Sequence, residues 1–171
     1  MRRNTNKWSE IDYYNFEINF NIINSFYNIN ANYDVRGILT YENVNGIYVV
    51  NCIGDVEVKN KKIEKLTDGF IWGNIKGEFD CRKCINLTSL EGAPKEVNKD
   101  FLCALCVRLT SLKGAPKNVG GEFNCSYCRG LKTLEGAPKK VGSFYCYYCD
   151  NLTSLQGAPK RGKIYCDERL K

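Results

Sequence analysis

The chain contains no histidine. That removes the commonest general base, the commonest metal ligand, and any serine–histidine or cysteine–histidine pair. No apolar run approaches the ~18 residues a membrane-spanning helix needs. The opening MRRNTNKWSEID has a basic pair with no apolar stretch behind it, so no secretory signal is expected and the chain is expected in the cytosol. No complete GxGxxG or GxxxxGK[ST] phosphate loop occurs; many of the glycines punctuate a recurring Gly-Ala-Pro. These absences argue against an enzyme, a cofactor, a small-molecule substrate and a membrane partner.

What is present is one phrase said four times. From Phe79 the chain reads FDCRKCINLTSLEGAPKEV, FLCALCVRLTSLKGAPKNV, FNCSYCRGLKTLEGAPKKV and FYCYYCDNLTSLQGAPKRG. A fifth copy starts as IYCDERLK. Equivalent cysteines stand at Cys81, Cys103, Cys125, Cys146 and Cys166, a period of 20 to 22 residues. Such a period marks a solenoid, in which each repeat is one rung and only stacking buries its apolar face. Solenoids present surfaces more often than they build catalytic pockets, so a binding protein is expected.

Within a rung, Phe79 and Cys81 lie two apart and share one side of a short strand. Cys84, Leu87 and Leu90 follow at intervals of three. Gly92-Ala93-Pro94 then turns the chain, and Val97, Val119 and Val141 close the rungs from the opposite wall. Twenty-two residues leave no room for a full helix on the convex side, so irregular loops or short 3₁₀ turns are expected there. The fold class is therefore a β-rich leucine-rich-repeat solenoid of short parallel strands with irregular convex loops and an N-terminal cap.

Upstream the pattern continues in worn form. Val56 and Val58 take the Phe and first-Cys positions, and Ile63 and Leu66 the two leucine positions. Residues 54–76 read as a degenerate first rung, 77–163 as regular rungs and 164–171 as a truncated last rung. Before them, GILTYENVNGIYVVNCI predicts a hairpin turning near Asn45-Gly46. Residues 16–22, FEINFNI, alternate as a strand would, and residues 8–14 suit a helical turn or a loop. Residues 1–53 are expected to cap the open end of the core.

The repeat LTSLEGAPKxV, with F-x-C ahead of it and the GDVEVKN…IEKL entry, resembles the leucine-rich-repeat proteins encoded by bacteriophages and prophages. The resemblance covers roughly residues 54–166. The family commonly has asparagine at the second cysteine position, where this chain has Cys84, Cys106, Cys128 and Cys149. The resemblance implies no common enzymatic activity. It implies a binding role in the cytoplasm of a bacterial host: an inhibitor or decoy acting on a host protein or ribonucleoprotein, antiviral systems such as a CRISPR effector included.

The CxxC pairs leave alternatives open. Cys81-x2-Cys84-x18-Cys103-x2-Cys106 fits a zinc-ribbon spacing, which would make a zinc-stabilised structural protein. The in-register leucines favour two ladders of small buried thiols, whose weak hydrogen bonds could stand in for asparagine at the turn. Disulfides between rungs would stay reduced in a cytosolic chain. Nothing nearby would activate a catalytic thiol.

With Phe and the first Cys inward, the residues between and after them should face out along the concave sheet. These positions are Asp80, Leu102, Asn124, Tyr145 and Tyr165, then Arg82-Lys83, Ala104-Leu105, Ser126-Tyr127 and Tyr147-Tyr148. They vary while the frame is held. Tyr127, Tyr145, Tyr147, Tyr148 and Tyr165 cluster with Leu102 and Leu105, and Arg82 and Lys83 lie nearby. Exposed aromatic clusters mark interfaces, though cross-strand packing could claim part of this set. Lys95, Lys117, Lys139 and Lys160 each follow Gly-Ala-Pro and read as a solvated edge away from the tyrosines. Residues 1–76 carry no net charge and residues 77–171 carry +6. Direct RNA or DNA binding by the basic half is therefore the rival reading, with salt-sensitive affinity as its mark.

Overall fold

The computed structural model describes residues 32–67 and 69–171. The expectations placed on residues 8–14 and 16–22 lie outside these residues, as does most of the expected cap.

The described residues form a β-rich solenoid of about five turns with almost no helix. Two long strands open it, β1 (Tyr33–Val44) and β2 (Ile47–Val58), paired antiparallel in unbroken register. Their turn falls at Asn45-Gly46, both with positive φ, as the dipeptide predicts. Beyond them run β3 (Phe70–Ile75), β4 (Phe79–Asp80), β5 (Glu96–Val97), β6 (Phe101–Leu102), β7 (Asn118–Val119), β8 (Glu122–Asn124), β9 (Ser143–Cys146) and β10 (Lys163–Cys166). A single 3₁₀ turn, Glu168–Leu170, follows.

Two parallel ladders share these rungs. The front wall is β2-β4-β6-β8-β9-β10, and the back wall is β2-β3-β5-β7. Both begin on β2: its first half pairs with β3 and its last residues pair with β4. The hairpin turns the corner between the walls where Gly37 faces Gly54. A Cβ on Gly37 would stand 2.7 Å from the Gly54 Cα, so only glycine permits this approach. β2 runs unbroken through residues 53 and 54, so hairpin and first rung share one strand. The back wall is expected as loop, yet Val97 and Val119 sit in two-residue strands of their own and Lys140 bridges to Asn118.

The front register aligns Phe79, Phe101, Phe123 and Phe144. Their fully buried rings stack at 5.2 to 5.5 Å with planes within 9° of parallel. Each such contact contributes on the order of 1 kcal/mol beyond the area it buries. Trp72 meets Phe79 edge-on at 6.0 Å, and Phe70 and Tyr33 pack edge-on against Trp72. Val56 aligns with Phe79, Val58 and Leu66 are buried, and Ile63 is half-buried.

After the second cysteine each rung closes two tight turns. Leu109 N donates to Cys106 O, and Ala115 N to Leu112 O, both at 3.0 Å. Between them Leu109 and Leu112 point inward. The Gly-Ala-Pro glycine must be glycine for two reasons. Gly114 has φ of 90°, and a Cβ there would come within 2.5 Å of Glu91 N in the preceding rung.

Candidate recognition surface

In a straight strand, residues three apart point to opposite faces. Here both cysteines of a CxxC pair are buried. The backbone achieves this with a left-handed residue two places after the first cysteine: Lys83, Leu105, Tyr127 and Tyr148, with φ between 55 and 64°. The inversion turns the second thiol inward and throws the left-handed side chain outward. The corner is itself a ladder. Lys83 N donates to Ala104 O, Leu105 N to Ser126 O and Tyr127 N to Tyr147 O, at 2.8 to 3.0 Å.

The inward result is a column of thiols bonded to backbone. Cys106 Sγ donates to Cys81 O, Cys128 Sγ to Cys103 O and Cys149 Sγ to Cys125 O, each at 3.2 Å. Cys106, Cys128 and Cys149 thus each satisfy a carbonyl of the preceding rung. All ten cysteines are free and buried. Burial pushes the Cys81 and Cys146 thiols up to about 12 and that of Cys52 to about 11, so these three hold little thiolate at neutral pH, whereas the bond to Cys125 holds the Cys149 thiol below its ordinary value. Among the described residues, no three histidine, cysteine or acidic side chains converge as a metal-binding group. In the last copy Arg169 replaces the second cysteine. Its guanidinium donates to Cys149 O at 2.7 Å and Leu152 O at 2.6 Å, two carbonyls of the rung before.

The outward result is two kinds of stack. Tyr145 and Tyr165 are register partners whose rings stack at 4.7 Å. Tyr127 and Tyr148, in the left-handed column, also stack at 4.7 Å, and Tyr147 lies beside Tyr148 at 6.3 Å. Tyr148 is 54% exposed, Tyr127 41% and Leu105 37%, whereas Leu102, Tyr145, Tyr147 and Tyr165 are half-buried. Lys83 is exposed at the head of the left-handed column.

The first rung differs. Asp80, expected to face out, is only 6% exposed. Arg82 clasps it, with Nη2 to Oδ2 at 2.6 Å and Nε to both oxygens at 3.0 Å. Burial pushes the Asp80 carboxyl up, but the hydrogen bonds and charge of Arg82 outweigh this and hold it below its ordinary value. The Arg82 guanidinium is thereby engaged within the chain. Ala104 and Ser126, also expected outside, are buried because they sit at the bend. Ser126 Oγ accepts a hydrogen bond from Tyr147 N at 3.2 Å.

Comparison with protein-family models, with curated proteins and with solved structures finds no match to the chain. The surface is therefore read from its own chemistry.

Two contributors went unread in the sequence. Ile85 and Val107 follow the second cysteine of their rungs and are exposed, at 46% and 39%. They adjoin the left-handed column in sequence and extend its apolar character toward the first rungs. The available signal was their position: the equivalent residues Arg129 and Asp150 are charged and pair at 3.5 Å, which marks that column as outward. Among the described residues no helix is long and apolar enough to cross a membrane.

Proposed function

We propose that the chain is a non-enzymatic recognition module that binds a macromolecular partner through the edge formed by Leu105, Tyr127, Tyr148 and their neighbours. One observation carries this reading. A side-chain-bearing residue in the left-handed region costs about 1–2 kcal/mol against the ordinary backbone, and glycine or asparagine would relieve it. The chain instead places Lys83, Leu105, Tyr127 and Tyr148 there and leaves them exposed. Folding alone favours neither the residue types nor their exposure. Tyrosine and leucine offered at a rigid corner are the anchors that interfaces draw on.

The resemblance of the repeats to phage-encoded leucine-rich-repeat proteins supports a partner class. The reading is an inhibitor or decoy acting on a host protein or ribonucleoprotein in the bacterial cytoplasm, with a CRISPR effector as one example. The test is capture from bacterial lysate treated with nuclease and washed at high salt, using the parent chain and a Leu105→Asn/Tyr148→Asn variant. A host protein retained by the parent and lost by the variant, with melting temperature unchanged or raised in the variant, supports the reading. Equal retention by both removes this edge from the interface.

A further inference from the structure

The back wall carries cations that the front-edge reading does not use. Lys95, Lys117, Lys139 and Lys160 follow Gly-Ala-Pro in successive rungs. Lys117 N donates to Lys95 O at 3.0 Å and Lys139 N to Lys117 O at 2.9 Å, which holds the first three in one column. At a rung spacing of ~4.8 Å the four span ~15 Å along the stack. The adjoining column begins with Glu96 and Asn118, joined side chain to side chain at 3.0 Å, and continues with Lys140 and Arg161. All six cations are exposed.

Elsewhere some cations are paired and others, such as Lys83, Arg108, Lys113 and Lys132, stand alone among the described residues; the back wall differs in gathering six in two adjoining columns. Arg36, Lys61, Arg82, Lys99, Arg129, Arg169 and Lys171 each face a carboxylate. None of the six on the back wall joins an ion pair or a side-chain hydrogen bond among the described residues. Like charges at rung spacing repel, so the arrangement works against the fold unless an anion offsets it.

We propose that this back wall is a second binding surface, separate from the tyrosine edge, and that it takes the phosphodiester backbone of single-stranded nucleic acid. Charge complementarity selects a polyanion. The surroundings select phosphate over an acidic protein. The other exposed residues here are Glu96, whose carboxylate is held by Asn118, and Asn98, Asn118, Gly120 and Gly142, with no aromatic or large aliphatic anchor to support a protein interface. A phosphate chain needs only charge and donors along its length. Because the tyrosines lie on the other wall, bases find no stacking platform beside the cations, and binding carries no sequence preference.

The test is fluorescence anisotropy with a labelled 20-nucleotide oligouridine and the full chain. About five phosphate contacts to a single strand imply an affinity that falls roughly a hundredfold between about 50 and 200 mM salt. Lys139→Glu/Lys160→Glu should weaken binding at least about tenfold at the lower salt and flatten the salt slope. Lys83→Glu/Lys132→Glu makes the same change in net charge away from the back wall and should shift affinity less than about twofold. Leu105→Asn/Tyr148→Asn should leave RNA binding intact, so this surface and the recognition edge stand or fall separately. No binding at about 50 mM salt overturns the proposal. So does an equal loss in the two lysine pairs, which would make the effect one of bulk charge. Oligoglutamate of the same length binding as tightly as the RNA would also overturn it, in favour of an acidic protein.

Discussion

The same rungs carry two aromatic ladders. The inner one, Phe79 to Phe144, is sealed from solvent, keeps one residue type and holds its rings parallel throughout. The outer one reads Asp80, Leu102, Asn124, Tyr145, Tyr165 along one column and Lys83, Leu105, Tyr127, Tyr148 along another, and stacks only in pairs. The inner positions are fixed by a cavity that only the neighbouring rungs can fill. The outer positions are fixed in backbone and free in side chain. Variation confined to the outer columns separates what the fold requires from what the surface is for.

The comparison breaks if the inner ladder proves soft. Phe123→Ala should cost about 3–5 kcal/mol in urea-induced unfolding, since a buried ring is removed between two others. A loss under 1 kcal/mol would mean that the rungs do not depend on it. Arg82→Ala should cost about 1–3 kcal/mol at neutral pH, because it strands a buried carboxylate. Its pH dependence carries the sign. The paired Asp80 has its pKa lowered on folding, so its contribution is present above the unfolded carboxyl pKa and is lost as pH falls through the lower folded value. The deficit of the variant should therefore hold down to about pH 4, the ordinary carboxyl range, and shrink below it as pH falls through the lowered folded value of Asp80. Parallel stability curves would show that Arg82 acts by packing alone.

Smaller changes sharpen the contrast. Tyr145→Ala removes a half-exposed ring from one stack and should cost about 1 kcal/mol, well below Phe123→Ala. Equal costs would make the outer stack part of the core. Leu105→Asn should be neutral or gain a few tenths of a kcal/mol in the same titration, as asparagine tolerates the left-handed region. A clear loss would show that Leu105 is packed rather than presented.

Much of the fold was legible because it is said more than once. The inward Phe and Cys and the paired leucines all follow from the period, and Asn45-Gly46 announces its turn. The left-handed corner was not legible. Lysine, leucine and tyrosine carry no turn preference, and the inversion appears only once both cysteines must face inward. The back-wall strands escaped because one valine in a two-residue strand has no alternation to read. Of the candidate surface, the outward columns were legible, but Ala104 and Ser126 were placed outside for want of that corner, and Asp80 because the clasp of Arg82 over it has no pattern in the sequence. Arg169 read as a fading repeat because a guanidinium replacing a thiol as carbonyl donor has no pattern behind it.

The sulfur-to-carbonyl bonds between rungs join residues only 19 to 25 positions apart, whichever rung they serve. Closing each new rung therefore loops out about the same length of chain as closing the last, and meets about the same entropic cost. The costly event is the seed, and the β1–β2 hairpin, which already presents an edge to both walls, is shaped to be one. From it the chain lengthens its ordered part as a crystal adds layers, each rung templating the next, and a break in one layer halts growth there while leaving the layers beneath it intact.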